Sequence, residues 1–362
     1  MVVAGTRPEI IKMAPLIRAF QRARIPFMFV HCGQHYDYDM SQKFIEELEL
    51  PAPEQGWNSG ACSPGKQTAR IITQMEQVQR KTKPSLVLVE GDTNGVLATA
   101  LAAIKLSIPV GHVEAGLRSF DLRMPEEHNR RLTDHLSTYL FAPTQTAQSN
   151  LRRESVWGKI YITGNTVIDA VIQHLPIAEK KSRVLERVPF KQFILATAHR
   201  AENVDDLTIL KHFMKAFTKA PLPVVYPVHP RTKKRLKQNR IYSKIKQSKN
   251  VLLLPPVGYL DFLILMKNSE MIVTDSGGIQ EEATAPPIRK PVLVTRISTE
   301  RPEAVEAGFA EVVGVHEQKI LHSMKQRLDT PRKLPNVSPY GDGNAAERIR
   351  RIIDGEESLK TD

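Results

Sequence analysis

Three acids stand where a parallel sheet presents side chains to a ligand. Asp92 follows the apolar run "SLVLVEG", Glu114 ends the apolar run "PVGHVE", and Glu126 follows Pro125 in "MPEEHNRR". Carboxyls gathered around one crevice can act as general acid and base, each perturbing the other's titration. Each has an ordinary reading as well. Asp92 in "GDTN" could cap the next helix, and Glu126, like Glu127, occupies a first helical turn where acids are favourable anyway. Glu114 has no capping role evident from sequence, so it points most directly to chemistry. The spacing of the three is not that of metal ligands, and no metal is expected.

The second half of the chain carries a different set. "TDSGGIQEEA" (274–283) reads as strand, turn and helix, and Ser276, Gly277 and Gly278 leave backbone N–H groups bare at a helix start. A phosphate can sit there, although an Asp or Ser N-cap on a tight turn explains the same residues. His199 in "ATAHRAEN" and His229 in "YPVHPRT" each follow a strand, where a histidine could donate to a phosphate oxygen or assist a leaving group. His199 ranks first, because Arg200 and Glu202 make its surroundings more polar. Near the start, "GTRPEIIKMAPL" runs from strand into helix, with Pro8 suited to the first helical position. Arg7 and Lys12 would lie around the first turns of that helix, two cations able to close on a diphosphate opposite DSGG. Standing alone, they would be surface cations.

The elements that must position these residues are strands and helices in alternation. "MVVA", "FMFVHC", "SLVLVE", "PVGHVE", "YLFAPT" and "KIYIT" read as strands in the first half, and "QFILATAH", "PVVYPVHP", "NVLLLPP", "MIVTDS" and "PVLVTR" in the second. Near-continuous apolar strands separated by amphipathic helices predict parallel sheets covered on both faces, hence α/β domains of the doubly wound kind. Ligands of such sheets bind beyond the carboxyl ends of the strands, which is where the acids, histidines and glycines fall. The pattern restarts after "TGNTVIDA" (163–170), so a hinge is placed there. Residues 1–166 form one expected domain and 167–343 the other. The tail "NAAERIRRIIDG" reads as an amphipathic helix with Ala345, Ile349, Ile352 and Ile353 near one face.

Composition narrows the classes. The chain has 362 residues, 41% hydrophobic and 25% charged, as expected of a soluble globular protein of two domains. Its formal charge of +12 asks for an anionic partner. The run "RTKKRLKQNRIYSKIKQSK" (231–249) is basic without an acid, but it lacks interleaved aromatics beyond Tyr242 and no nucleic-acid motif accompanies it. It reads as a solvated helical face, and no nucleic-acid partner is expected. Cys32 and Cys62 form neither metal-type spacing nor a disulfide framework and suit a reducing cytoplasm. No apolar run is long enough to span a bilayer and no signal peptide is recognised, so neither membrane nor export is expected. Neither a dinucleotide glycine fingerprint nor a Walker A motif is present, and no cofactor is expected.

Taken in order, "GTRPEIIKMAPL", "GQHYDYDM", "EGDTN", "HVEAGLRS", "PEEHNRRLTDHLS", "TGNTVIDA", "AHRAEN", "GYLDFLILM", "TDSGGIQEEA" and "STERPEAVEAG" resemble the non-hydrolysing UDP-N-acetylglucosamine 2-epimerases over nearly the whole chain. "GQHYDYDM" is similar to the archaeal-type members. The resemblance implies the glycosyltransferase-B architecture, two Rossmann-like domains facing a cleft, with the C-terminal helix (344–362) returning to the first. It also implies a homodimer that interconverts UDP-GlcNAc and UDP-ManNAc. By the same resemblance Arg7, Lys12, Asp92, Glu114, Glu126 and His199 match active-site positions, and Ser276, Gly277, Gly278 and Glu282 match the nucleotide site, Glu282 on the ribose. Pro256 and Tyr259 match the region that holds uracil. The family's route eliminates UDP from carbon 1 as a base takes the carbon-2 proton. UDP then returns to 2-acetamidoglucal after protonation of the opposite face.

Two departures from the family pattern stand out. Bacterial members use two glutamines near "QH" for activation by a second substrate molecule; Gln34 matches the first, but Asp37 stands at the second. "ATAPPIRKPVLV" also differs from the usual shorter turn. Other classes weighed on the same residues are a UDP-sugar glycosyltransferase, a 2-epimerase of a modified UDP-sugar such as a 2,3-diacetamido uronic acid, and a charge-driven nucleic-acid binder.

Overall fold

A computed structural model describes residues 1–33, 44–56 and 62–355. Gln34 and Asp37 lie outside the described residues. The chain divides into two compact units, Met1–Ala170 with Tyr340–Asp362, and Val171–Pro339.

The first unit is built on a seven-stranded, all-parallel sheet in the order β3-β2-β1-β4-β5-β6-β7. Its strands are β1 Val2–Ala4, β2 Phe29–His31, β3 Gln55–Gly56, β4 Val87–Glu90, β5 Val110–Val113, β6 Tyr139–Ala142 and β7 Lys159–Ile162. Between them run α1 Arg7–Ala23, α2 Pro64–Thr82, α3 Asn94–Lys105, α4 Pro125–Leu136 and α5 Gln145–Arg153, and α6 Thr166–Lys181 follows β7. β1, β4 and β5 are buried along their whole length, which is why they read as near-continuous apolar runs. β7, at the sheet's edge, is only partly covered.

The second unit carries a six-stranded parallel sheet in the order β10-β9-β8-β11-β12-β13. Its strands are β8 Ile194–Thr197, β9 Val224–Pro227, β10 Val251–Leu254, β11 Met271–Thr274, β12 Val292–Val294 and β13 Ala310–Val312. Among the helices, α7 Ala201–Val204 and α8 Leu207–Thr218 follow β8, α9 Pro230–Gln238 and α10 Tyr242–Lys246 follow β9, and α11 Tyr259–Asn268 follows β10. Next come α12 Gly277–Glu282 after β11, α13 Pro302–Glu306 after β12, and α14 Glu317–Asp329 after β13. The core of this unit gathers Phe213, Phe217, Tyr226, Val273 and Met324.

In both sheets the strand order reverses once, between β1 and β4 and between β8 and β11. A doubly wound sheet opens a crevice at that reversal, because the connections leave to opposite faces. Every strand expected from sequence is present. β3 and β13, the outermost strands of their sheets, were not anticipated: at two and three residues they carry too little pattern to register.

The tail forms α15 Ala345–Asp354, which packs on α1 and buries Ala345, Ala346, Ile349 and Ile352. Asp169 fixes its start by accepting the N–H groups of Ala345 (3.2 Å) and Ala346 (2.9 Å). The basic run becomes α9 and α10, with Thr232, Leu236 and Ile245 buried and its cations largely outward. Arg231 and Arg235 pair with Asp205, and Lys233 and Lys237 lie over the Tyr242 ring. The segment "ATAPPIRKPVLV" forms turns that lead into β12 and are tied back to the chain ahead of α15, through Thr284 Oγ1 to Ser338 Oγ (2.6 Å) and Arg289 Nη2 to the Leu334 carbonyl (2.9 Å). Among the described residues no helix is long and apolar enough to cross a membrane.

Candidate active site

In the first unit, the β1–α1 turn, the ends of β4 and β5 and the start of α4 meet at the strand-order reversal. Gly91 takes a left-handed conformation (φ +85°) after β4, letting the chain turn sharply into α3. Thr93 caps α3, its Oγ1 accepting the Val96 N–H at 3.4 Å. The capping role considered for Asp92 is therefore already filled. Asp92 instead pairs with Arg130 of α4 through its Oδ2, and its carbonyl accepts Asn129 Nδ2 at 3.0 Å.

Glu114 departs from the sheet. It is buried and has φ +67°, a left-handed backbone that costs a non-glycine residue about 1–3 kcal/mol. Its Oε2 lies 2.5 Å from Lys12 Nζ and accepts Asn165 Nδ2 at 2.9 Å. Lys12 also lies 3.0 Å from Glu90 Oε1. Of the two first-turn acids of α4, Glu127 is buried and structural: it accepts the N–H of Ser119 (2.9 Å) and of Phe120 (3.3 Å), and Arg130 approaches it at 3.2 Å. Glu126 is exposed at the helix start. Arg7, the first residue of α1, is exposed and lies 5.6 Å from the Phe44 ring centroid.

Beneath these groups runs a support that the sequence did not announce. His112 of β5 has Nδ1 2.7 Å from Asp134 Oδ1 and Nε2 2.8 Å from the Gly91 carbonyl. Asp134 accepts the Gly116 N–H (3.2 Å) and meets Arg118 (2.7 Å), which forks onto Glu154. Gly116 has no room for a side chain, since a Cβ would stand 2.3 Å from the Ala147 carbonyl oxygen. Glu9, buried on α1, accepts Gly5 N–H (2.6 Å) and Thr6 Oγ1 (3.0 Å), fixing the turn before Arg7. Burial pushes its carboxyl up to about 6, against those two hydrogen bonds and one from Thr93. The only signal for any of this was a polar residue inside an apolar run, as with His112 in "PVGHVE" and Glu90 in "SLVLVEG".

In the second unit, Asp275 joins the ends of β8 and β11. Fully buried, it accepts the N–H groups of His199 (3.0 Å) and Arg200 (3.0 Å) and the Asn203 amide (3.1 Å). Its Oδ1 also lies 3.3 Å from His199 Nδ1, which orients a ring that remains more than a third exposed. His229 Nδ1 accepts the Arg231 N–H at 3.3 Å and so caps α9. Burial first, then His199 and Arg231, lower its basicity. The two imidazole centroids are 5.7 Å apart.

Ser276 precedes α12 without capping it through its side chain, and Gly278 has open space where a Cβ would stand. A Cβ on Gly277 would come within 3.2 Å of Glu300 Oε1. Burial favours the neutral form of Glu300, but Arg301, Arg200 and Arg296 hold its carboxyl at about 2. Arg200 and Arg296 are thus gathered beside the start of α12, paired with Glu300. Tyr259 opens α11, its ring edge-on to His174 at 5.6 Å. Burial and then the charge of Glu282 raise its phenol well above its ordinary range. Its hydroxyl is buried without a hydrogen-bond partner among the described residues.

The candidates divide between the units as the sequence assigned them: Arg7, Lys12, Asp92, Glu114 and Glu126 lie in the first, His199, His229, Tyr259, Ser276, Gly277, Gly278 and Glu282 in the second. Known proteins match this chain over almost its full length. The family model described as UDP-N-acetylglucosamine 2-epimerase matches residues 18–354. The UDP-N-acetylglucosamine 2-epimerase of Methanocaldococcus jannaschii is 46% identical over 97% of this chain and 98% of that protein. The crystal structure of the M. jannaschii UDP-GlcNAc 2-epimerase in complex with UDP-GlcNAc and UDP superposes with a TM-score of 0.87, at 45% identity over 98% of this chain and 99% of that one. The UDP-GlcNAc 2-epimerase from Neisseria meningitidis bound to UDP-GlcNAc gives 0.88, at 39% identity and with 98% and 99% covered. With its two doubly wound sheets and this match along almost its entire length, the chain belongs to the UDP-N-acetylglucosamine 2-epimerase family.

Proposed function

We propose that this chain interconverts UDP-GlcNAc and UDP-ManNAc by the non-hydrolysing route, without a cofactor. The observation that carries the reading is the Glu114 carboxyl, buried, held on a left-handed backbone and set among polar partners at the strand-order reversal where Asp92 also stands. Strain of that kind persists where the surroundings over-determine it, and it clusters at sites that do chemistry.

Carbon 2 of the substrate bears an acetamido group and is not next to a carbonyl, so its proton is not acidic enough for simple abstraction. Elimination answers this. A base takes the carbon-2 proton while the carbon 1–oxygen bond breaks and UDP leaves with the electron pair, giving 2-acetamidoglucal. Protonation of carbon 2 on the opposite face and return of UDP to carbon 1 complete the epimerisation, so nothing is consumed. Asp92, Glu114 and Glu126 supply the acid and base groups. Arg7, His199, His229 and the Ser276–Gly277–Gly278 turn offset the charge that gathers on the departing diphosphate, while Lys12, matched to the same site by resemblance, stays with Glu90 and Glu114. Glu282 holds the ribose, and the segment of Pro256 and Tyr259 holds the uracil. The electrostatic coupling of Tyr259 to Glu282 supports placing those two neighbouring parts of the nucleotide there. A homodimer belongs to the same proposal and is read by sedimentation.

Turnover of UDP-GlcNAc in heavy water tests the reading. Deuterium should appear at carbon 2 of both sugars with no additive; epimerisation that keeps the original hydrogen would overturn the elimination route.

A further inference from the structure

Glu90 has no part in the mechanism above, yet it is the most anomalous residue in the first sheet. It ends β4, a strand buried throughout, and is itself 2% exposed. An acid in such a place costs stability unless it is paired, and a parallel-sheet strand ordinarily ends its buried run on an apolar side chain. Its neighbour across the ladder is Val113, so Glu114 begins one residue further along the adjacent strand. Lys12 reaches from the second turn of α1 to both carboxyls, 2.5 Å from Glu114 Oε2 and 3.0 Å from Glu90 Oε1.

The titratable groups facing Glu90 are Lys12 and Glu9 on α1 and Glu114 beyond β5. Two of these carboxyls, Glu90 and Glu114, thus share one ammonium. An ammonium engaged by a single carboxylate favours its charged form and opposes its taking up a proton. We propose that Glu90 is a positioning residue for the reaction, holding the Lys12 ammonium shared between itself and Glu114 so that Glu114 remains able to exchange a proton. This rests on the reading that Glu114 works as an acid or base. Burial keeps the Glu90 carboxyl well above the usual carboxylate range; Lys12 opposes the shift, while Glu114 and Glu9 add to it. In its neutral form the residue is an uncharged acceptor for Lys12, and ionisation at higher pH draws the ammonium away from Glu114.

Two variants test this. Glu90→Gln keeps the shape and the acceptor, whereas Glu90→Leu keeps neither. Glu90→Leu should lower kcat at least tenfold with KM changed less than threefold, and Glu90→Gln should restore most of that kcat. The Gln variant should also lose the alkaline-side change in the pH profile that Glu90 ionisation causes in the unmodified enzyme. A readout independent of turnover is the rate at which Lys12 reacts with acetic anhydride, followed by peptide mass spectrometry: Glu90→Leu should raise it severalfold and Glu90→Gln should not. Unchanged Lys12 labelling in Glu90→Leu overturns the proposal. So do equal losses of kcat in both variants with the original pH profile, which is the mark of a purely structural role. Should Glu90→Leu fail to fold by circular dichroism, the pH profile of Glu90→Gln decides. A parent enzyme that labels as expected but does not epimerise UDP-GlcNAc would instead count against the proposed function.

Discussion

Glu114 occupies a left-handed backbone with Lys12 and Asn165 on its carboxyl, and such a residue is held there by its contacts rather than by its own preference. Glu114→Gln should therefore fold, since the amide keeps the shape, and should lose turnover by about a hundredfold or more, the usual scale for a missing acid or base. Asp92→Asn and Glu126→Gln should behave likewise. Near-normal turnover in any one of them removes that residue from the acid/base set. Glu9 gives a prediction of a different kind. Its folded carboxyl titrates near 6, above the 4.5 of an unperturbed glutamic acid, so the folded state binds the proton more tightly. The stability this contributes is full below about 4.5 and is lost as pH rises through about 6. Glu9→Gln cannot ionise, so relative to the parent it should gain about 2 kcal/mol between pH 4 and pH 7. Urea unfolding of both proteins at the two pH values reads that difference; a constant gap would show that Glu9 titrates alike in both states.

The turns after the strands are braced from one to the next. Asp275 at the end of β11 holds the backbone after β8, and so places His199 by hydrogen bonds that an asparagine could make only in part. Asp275→Asn should lower turnover about tenfold or more, since each hydrogen bond to a buried charged group contributes about 1.5–3 kcal/mol. Calorimetry with UDP beside turnover divides the remaining roles. Ser276→Ala and Glu282→Ala should weaken UDP binding itself. Arg7→Ala should instead lower turnover more than UDP affinity, because the nucleotide contacts assigned to the second unit are left intact. If Arg7→Ala turns over normally, its exposed place at the head of α1 is ordinary loop chemistry.

The chain leaves its first unit at α6 and returns to it at Tyr340, so α15 is the last piece of a unit whose other elements end more than a hundred residues earlier. Asp169 receives it, accepting two N–H groups at the start of α15, while the Asn165 N–H donates to the Tyr340 carbonyl at 2.7 Å. Asp169→Ala strands those two donors in a buried place and should destabilise the protein by about 2 kcal/mol. A lowered urea midpoint with unchanged UDP affinity is the expected pair of results. A midpoint equal to that of the parent would mean that α15 is held by its apolar face alone.

Periodicity and strand-end chemistry were legible in the sequence because a buried parallel strand is mostly apolar and leaves most of its polar residues to the turn that follows. That logic located the doubly wound sheets, the acids after β4 and β5, the DSGG turn and the amphipathic tail. Motif order supplied the family. The short outer strands β3 and β13 escaped, since two or three residues carry no period. Which member of "PEE" is structural also waited on the fold. Glu126 and Glu127 are chemically alike and adjacent, but a helix turns 100° between them, burying Glu127 under the Ser119 turn and leaving Glu126 outside. Glu90 likewise reads as the last letter of a strand until Lys12, 78 positions earlier in number, is brought within 3.0 Å of it. Sequence spacing reports what one element can do along its own axis; the partners of a buried charge come from other elements, and only tertiary packing brings them together.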